Sequence, residues 1–145
     1  MPEFVLDYGT RDAADKFKAL DSFTRGYIEA MFFTECHADN PELEEATAHD
    51  LAPETWETIL VDCASFQESS AETLGRAYDY APTEYDDSRA GNDFWYTRNG
   101  HGTGFWDRGF GDLRTETIGG WLSRDATAFG SCDLYRGDDG LLYLC

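Results

Sequence analysis

One stretch of the chain decides most of the fold prediction: residues 53–78, PETWETILVDCASFQESSAETLGRAY. Pro53 suits the first position of a helix, because a backbone N–H at that position would have no partner within the helix. Ala52 then becomes the N-cap residue, and Leu51 and Trp56 are spaced for a hydrophobic staple. The spacing therefore predicts that helical structure covers this stretch.

The predicted helix is amphipathic. At about 100° per residue, its apolar side chains share one face: Trp56, Ile59, Leu60, Cys63, Phe66, Leu74 and Tyr78. The carboxylates on the opposite face are those of Glu54, Glu57, Glu68, Glu72 and Asp79, with Asp62 off that stripe. A break near residues 69–70 is the alternative to one continuous helix. A continuous helix would carry an exposed carboxylate row about 37 Å long.

The charge of the chain is strongly negative and unevenly distributed. Lys and Arg number 11 against 29 Asp and Glu, for a net charge of −18. The 50 residues from Gly26 to Gly75 hold 12 acids and no Lys or Arg. A solvated helix ordinarily gains salt bridges from basic residues three or four positions away, and here none occurs before Arg76. Such a chain repels nucleic acid and anionic membranes and attracts proteins with basic clefts.

Length and composition indicate one compact acidic domain over residues 1–145. The 41% hydrophobic and 15% aromatic content excludes a disordered tail and a coiled coil. No apolar run reaches the length of a signal peptide or a membrane span, so we expect a cytoplasmic protein. The four cysteines form no Cys-x-x-Cys pair and are expected to be free thiols, with Cys63 in the core.

Flanking patterns predict the remaining elements. Asp21 or Ser22 would cap a helix that ends near Cys36. The second half would hold a strand at 93–98, an Asn99-Gly100 turn, a return strand at 103–106, a helix at 112–129, and a hairpin of 132–136 and 141–144. The predicted fold class is α+β, with N-terminal helices packed on a small antiparallel sheet made of two hairpins around a third helix.

The least generic segment is residues 92–111, NDFWYTRNGHGTGFWDRGFG. It resembles the hallmark of a widespread group of small phage and prophage proteins of uncharacterised role, in which DFWxTRNGHGxGFWDRG recurs. Stretches 39–43, 78–85 and 134–140 are similar to that group too, whereas 115–124 departs from its pattern. The resemblance implies a phage or mobile-element accessory protein in a host cell and no mechanism.

The same segment carries side chains suited to a ligand site. They are Trp95, Arg98, Asn99, His101, Asp107 and Arg108. Paired strands would bring Arg98, His101 and Asp107 around one pocket, where the imidazole is a potential general base. The structural alternative is an aromatic core beside a tight turn, with Trp95 and Trp106 inside and His101 at the surface. No catalytic residue is assigned and no cofactor is expected.

The acidic surface supports a different hypothesis, a protein that meets the basic surface of a host protein. The candidate partner-binding residues are Glu42, Glu44, Glu45, Glu54, Glu57, Glu68, Glu72, Asp86 and Asp87. Such a protein would act as a DNA mimic and would bind neither nucleic acid nor membrane itself. Two alternatives stay open: a small ligand-binding protein or enzyme that uses residues 93–108, and an accessory domain whose acidity only aids solubility. Glu35, Cys36, His37 and Asp39 match no common metal-site spacing, so no metal is expected.

Overall fold

The computed structural model describes residues 6–36, 39–80, 82–108 and 118–145. Over these residues the chain is mostly helical and ends in a two-stranded antiparallel sheet, which agrees with the α+β prediction. The helices are α1 (Arg11–Lys18), α2 (Ser22–Glu35), α3 (Pro53–Ser69), α4 (Ala71–Tyr80), α5 (Asp87–Arg98) and α6 (Ile118–Thr127), and the strands are β1 (Leu134–Arg136) and β2 (Leu142–Leu144). Two short 3-10 turns cover Ala48–Asp50 and Phe105–Asp107. No helix in the described ranges is both long enough and apolar enough to cross a membrane.

Helix α2 begins as the sequence predicts. The Asp21 side chain accepts a hydrogen bond of 2.8 Å from the backbone N–H of Thr24, which satisfies one of the unpaired donors of the first turn. Most of α2 is buried, so this helix runs through the middle of the core.

Glycines let α2 and α5 approach closely. A Cβ on Gly26 would clash with the carbonyl oxygen of Ser88, and a Cβ on Gly91 would clash with that of Phe23. The amide of Asn92 donates to the Gly26 carbonyl at 2.6 Å. Backbone contact of this kind explains why glycines stand inside two helices, where they otherwise lower helix stability.

The decisive stretch forms two helices instead of one, so the break near residues 69–70 is confirmed. Pro53 opens α3 after Ala52, and the α3 helix stops at Ser69. The apolar face is buried at Trp56, Ile59, Cys63, Phe66 and Leu74. The inward assignment of Leu60 is wrong: its side chain is 40% exposed, because it lies at the edge of the apolar arc.

The strand predicted at 93–98 is wrong, because this segment is the second half of α5. The Asp86 side chain accepts from the backbone N–H of Arg89 at 3.0 Å and caps the helix. Asn99-Gly100 ends this helix instead of turning a hairpin, with Gly100 at a φ of 66°. Residues 103–106 form no return strand either, so the described residues contain one hairpin instead of the two expected. Aromatic residues favour strands only where a half-buried pleated surface is offered, and here α2 offers a helical groove.

The last part of the chain agrees more closely with the prediction. Of the helix expected at 112–129, α6 covers Ile118–Thr127, and residues 112–117 lie outside the described ranges. The C-terminal hairpin is confirmed, with Leu134 opposite Leu144 and Tyr135 opposite Tyr143. The Thr55 hydroxyl donates to the Leu142 carbonyl at 2.8 Å, which fastens the hairpin to the first turn of α3.

Stacked aromatic rings join the elements into one core. The rings of Phe66 in α3 and Phe94 in α5 lie 4.3 Å apart between centroids, and Phe105 stacks on Phe66 at 5.6 Å. Phe23 and Phe129 complete this group from α2 and the end of α6. The surrounding cluster of buried apolar side chains draws on all six helices and both strands. Cys63 is fully buried within it, and all four cysteines are free thiols.

Candidate functional site

The guanidinium of Arg98 is buried and donates four hydrogen bonds inside the fold. Its Nε donates to the Gly130 carbonyl at 2.8 Å, and its Nη2 donates to the Phe129 carbonyl at 3.1 Å. Its Nη1 donates to the Tyr27 hydroxyl at 3.2 Å and to the Asp62 carboxylate at 2.9 Å. Only 6% of the Arg98 side chain is exposed. These bonds tie α5 to α2, to α3 and to the end of α6.

Asp93 forms a second buried network. It is fully buried, and its carboxylate accepts a hydrogen bond from the Tyr85 hydroxyl at 2.7 Å. It also forms a bidentate ion pair with Arg108, in which the Arg108 Nε lies 2.9 Å from the Asp93 Oδ2. Burial raises the pKa of Asp93 above its ordinary value, and the donors from Arg108 and Tyr85 oppose that rise. Burial also raises the pKa of the Tyr85 phenol, and the neighbouring Asp93 charge adds to the effect. The network anchors the segment after α5 to the middle of that helix.

Trp95 and Asn99 have internal partners as well. The buried Trp95 indole donates to the Thr34 hydroxyl at 2.7 Å. The Asn99 amide donates to the Trp95 carbonyl at 3.0 Å, and its oxygen accepts from the backbone N–H of Cys132 at 2.7 Å. Both residues therefore hold the C-terminal end of α5 in place.

The hairpin expected to bring Arg98, His101 and Asp107 together is absent, and among the described residues these three side chains do not share a partner. His101 is exposed, as the structural alternative predicts, and its ring lies 6.3 Å from that of Trp95. The Asp107 carboxylate caps the 3-10 turn, accepting from the backbone N–H of Gly104 at 3.1 Å. The three side chains thus have separate partners.

The burial predicted for Trp106 is wrong. Its side chain is 57% exposed, whereas its neighbour Phe105 is fully buried. The 3-10 turn explains the difference. It points the side chain of Phe105 into the core, whereas the expected strand would have pointed that of Trp106 there. The backbone N–H of Phe105 donates to the Thr97 hydroxyl at 3.2 Å and fixes this orientation.

The acidic side of α3 and α4 is exposed, as predicted. We call Glu54, Glu57, Glu68 and Glu72 the α3–α4 carboxylates; all four are exposed. Glu72 pairs with the exposed Arg76 at 2.9 Å. Glu57 and Glu68 form no hydrogen bond or ion pair with any residue that the structure describes. Because the helix breaks after Ser69, the uninterrupted part of the row runs from Glu54 to Glu68, about 21 Å along the α3 axis.

Asp62 has a separate role. It lies off the carboxylate stripe, and the structure turns it toward Arg98. Sequence reasoning missed this pair, because the two residues stand 36 positions apart and no local pattern links them.

Two carboxylates of the 39–50 region line a cleft. Glu42, Glu44 and Glu45 are exposed, and the last two border an open cleft of about 440 Å³. The other described residues around it are Leu6, Asp7, Phe32, Cys36 and Ala46. Burial raises the pKa of the Cys36 thiol to about 12, so it is neutral at physiological pH.

Asp86 and Asp87 are exposed at the start of α5. Asp86 has a structural role as the N-cap of that helix, so its carboxylate is only partly available to a partner. Asp87 belongs to the first turn, where a negative charge complements the helix dipole.

Neither lysine is placed on the exposed side of α3. The Lys16 ammonium lies 4.5 Å from the ring centroid of the buried Trp56, and the Lys18 ammonium lies 5.8 Å from that of Tyr8. Both cations thus lie over aromatic rings at the α1 side of the molecule.

No metal centre or relative adds to this geometry. Within the described ranges, no group of three or more His, Cys, Asp or Glu side chains is arranged to hold a metal ion. His37, one of the residues considered for that role, lies outside those ranges. No protein-family model matches the chain, and neither the curated proteins nor the solved structures contain a match to it. The functional argument therefore depends on the chain's own residues.

Proposed function

We propose that the chain is an acidic interaction protein, encoded by a phage or mobile element, that occupies a basic nucleic-acid-binding surface of a host protein. The observation that carries this proposal is the exposure of the α3–α4 carboxylates in a 50-residue segment without Lys or Arg. Of these four, only Glu72 has a basic partner among the described residues, Arg76, and exposed carboxylates without basic partners repel one another. Their cost to the folded state is offset when a basic partner covers them.

The spacing of the carboxylates on α3 favours a binding surface that includes acids from other elements. Duplex DNA carries one negative charge per about 1.7 Å of its axis. Three carboxylates along the 21 Å between Glu54 and Glu68 are sparser than that, so mimicry of DNA requires further acids. The exposed acids that follow and precede this row in sequence are Glu72 in α4 and the pair Glu44 and Glu45.

The aromatic segment gives less support to a ligand-binding function. Its charged groups at Asp93, Arg98 and Arg108 have partners within the fold. A ligand would have to displace these bonds, and leaving a buried charge without a partner costs about 3–5 kcal/mol. The interaction hypothesis needs no such rearrangement, since its residues are already in water.

The proposal is tested by capture of host proteins on the immobilised chain, with elution by salt and by duplex DNA. We expect captured proteins to be DNA-binding proteins that are released by added duplex and by a rise in salt from about 50 to 200 mM. The matched variants neutralise four acids each. One changes the α3–α4 carboxylates to Gln, and the control changes four exposed acids elsewhere: Asp12, Asp15, Asp133 and Asp138.

The two variants have the same net charge. A difference between them therefore shows that a particular surface binds the partner, and that binding does not depend on the overall charge alone. The proposal expects capture to be lost in the first variant and kept in the control. Equal loss of capture in both variants would mean that the acidic residues attract proteins nonspecifically. Capture of proteins that duplex DNA does not release would exclude occupation of a DNA-binding surface.

A further inference from the structure

The exposed face of α3 is not a pure row of carboxylates. At its centre lies Val61, which is 56% exposed, and at its border with the apolar arc lies Leu60, which is 40% exposed. With about 100° per residue, Val61 falls near 340° when Glu54 is set at 0°, in the middle of the carboxylate side. The helical period of the sequence thus places an apolar side chain on the acidic face of α3.

Leu60, Val61 and the exposed Ala64 form one contiguous apolar patch, which we call the α3 patch. Residues three and four apart are neighbours on a helix, so Ala64 touches the positions of both Leu60 and Val61. By the same rule Glu57 borders the patch on its N-terminal side and Glu68 borders it on its C-terminal side. These two carboxylates are eleven residues apart, about 16 Å along the axis.

From this arrangement we propose that the α3 patch is the docking point for a basic amphipathic helix of the partner protein. The inference rests on the proposed function and adds a geometry to it. An aliphatic strip on the partner helix covers Leu60, Val61 and Ala64. Lys or Arg side chains about eleven residues apart on that helix meet Glu57 and Glu68. The apolar contact provides affinity, and the charge pairs fix the register.

Charge decides between this occupant and a second copy of the chain. In a symmetric dimer, the same patch meets itself, so Glu57 would face either Glu57 or Glu68 of the other copy. Both arrangements bring like charges together in a chain of net charge −18. A basic helix instead neutralises both carboxylates, which have no ion pair with the described residues.

The test uses two fluorescein-labelled synthetic helices of Leu, Ala and Lys. The first has a leucine strip between lysines eleven residues apart, and the second has the same composition in scrambled order. Binding to the full chain is measured by fluorescence anisotropy at about 50 mM salt, where surface charges are only weakly screened. We expect the patterned helix to bind at least about tenfold more tightly than the scrambled one, the difference expected for one aliphatic contact.

Two matched pairs of variants locate the contact. Val61→Ser should weaken binding of the patterned helix about tenfold, whereas Tyr135→Ser, which removes an exposed side chain on β1, should leave it unchanged. Glu57→Gln with Glu68→Gln should weaken it more than Asp133→Asn with Asp138→Asn, two exposed acids outside the proposed surface whose substitution changes the net charge equally. Thermal unfolding of each variant verifies that these exposed substitutions leave the fold intact.

The outcomes separate this inference from the proposed function. Equal binding of the two helices, or no effect of Val61→Ser, overturns the docking site, while release of captured host proteins by DNA would still support the proposed function. If neither helix binds, the docking site is overturned as well. A dimer in light scattering that Val61→Ser dissolves would assign the patch to a second copy and overturn the basic helix as its occupant.

Discussion

The exposed face of α3 and the segment from α5 to Arg108 carry comparable densities of charge, yet the fold treats them in opposite ways. On α3, Glu57 and Glu68 face water and form no ion pair with described residues. In the α5 segment, Asp93 and Arg98 are buried, and each has several partners. The conspicuous charges of the α5 segment are thus paired inside the fold, whereas the carboxylates of the plainer acidic helix stay in water.

The difference shows that unusual residues are not by themselves a functional site. A buried charge must be paired and hydrogen-bonded to be tolerated, so a segment rich in internal partners also acquires a distinctive composition. The aromatic motif meets that structural requirement. Each experiment below measures whether one of the two regions stabilises the fold, and the expected effects are ordered from large to small.

Truncation of Trp95 should have the largest effect. Trp95→Ala removes a fully buried ring and the donor to Thr34, so we expect the free energy of unfolding to fall by about 3–5 kcal/mol. The matched control is Trp106→Ala, whose side chain is 57% exposed and whose loss should cost less than about 1 kcal/mol. Urea unfolding measures both variants, and equal losses would contradict the assigned burial.

Removal of the Arg98 guanidinium should come next. Arg98→Met leaves the Asp62 carboxylate and the Tyr27 hydroxyl without their donor, at an expected cost of about 3 kcal/mol. A double-mutant cycle with Asp62→Asn isolates the pair and should give a coupling above about 0.5 kcal/mol. Strictly additive effects would show that the two side chains do not depend on each other.

The Tyr85 hydroxyl should have a smaller effect that depends on pH. Tyr85→Phe removes a donor to the Asp93 carboxylate and should cost about 2 kcal/mol at pH 7. Because burial raises the folded-state pKa of Asp93 above the unfolded value, proton uptake at Asp93 favours folding as the pH falls through that window. The penalty of Tyr85→Phe should shrink over the same window, since a protonated carboxyl needs its donors less.

Urea unfolding of the wild type and Tyr85→Phe between pH 7 and pH 4 measures how this penalty depends on pH. The shrinkage should begin at a higher pH than an exposed aspartate would give. A penalty that stays constant down to the ordinary aspartate range would mean that Asp93 is not the group that titrates.

His101 should contribute little to stability. Its side chain is exposed after the end of α5, so His101→Ala should change the free energy of unfolding by less than about 0.5 kcal/mol. Binding to the captured host protein should be unchanged too. Loss of that binding with an unchanged melting temperature would assign the partner-binding role to the aromatic segment instead of the acidic face of α3.

Reversal of the α3–α4 carboxylates to Lys should leave stability unchanged or raise it. Positive charges reduce the self-repulsion of a chain of net charge −18, and the exposed pair of Glu72 with Arg76 contributes little. Any gain in melting temperature should be largest at low salt, because salt screens exposed charges. A clear loss of stability would show that these carboxylates have structural partners and would contradict the proposal that they are available to a partner protein.

Local patterns in the sequence were sufficient for the elements whose signals lie within a few residues. Asp21 and Pro53 mark the starts of α2 and α3, and the 3.6-residue period places Ile59, Cys63 and Phe66 in the core. The same period put the α3–α4 carboxylates in water. These predictions succeed because caps and amphipathic faces depend on neighbours three or four positions away.

Only the tertiary structure decided the state of residues 93–106 and the partners of their charges. Close contact of Gly26 and Gly91 with the opposite backbone makes α5 a helix beside α2, although its aromatic residues alone favour a strand. Arg98 then reaches Asp62, and Arg108 reaches Asp93, across separations that no local pattern records. The sequence by itself determined which faces of α3 are apolar and acidic, because that follows from helical geometry. Whether a charged side chain is buried with a partner or left in water depends on what packs against it, and only the assembled fold determines that.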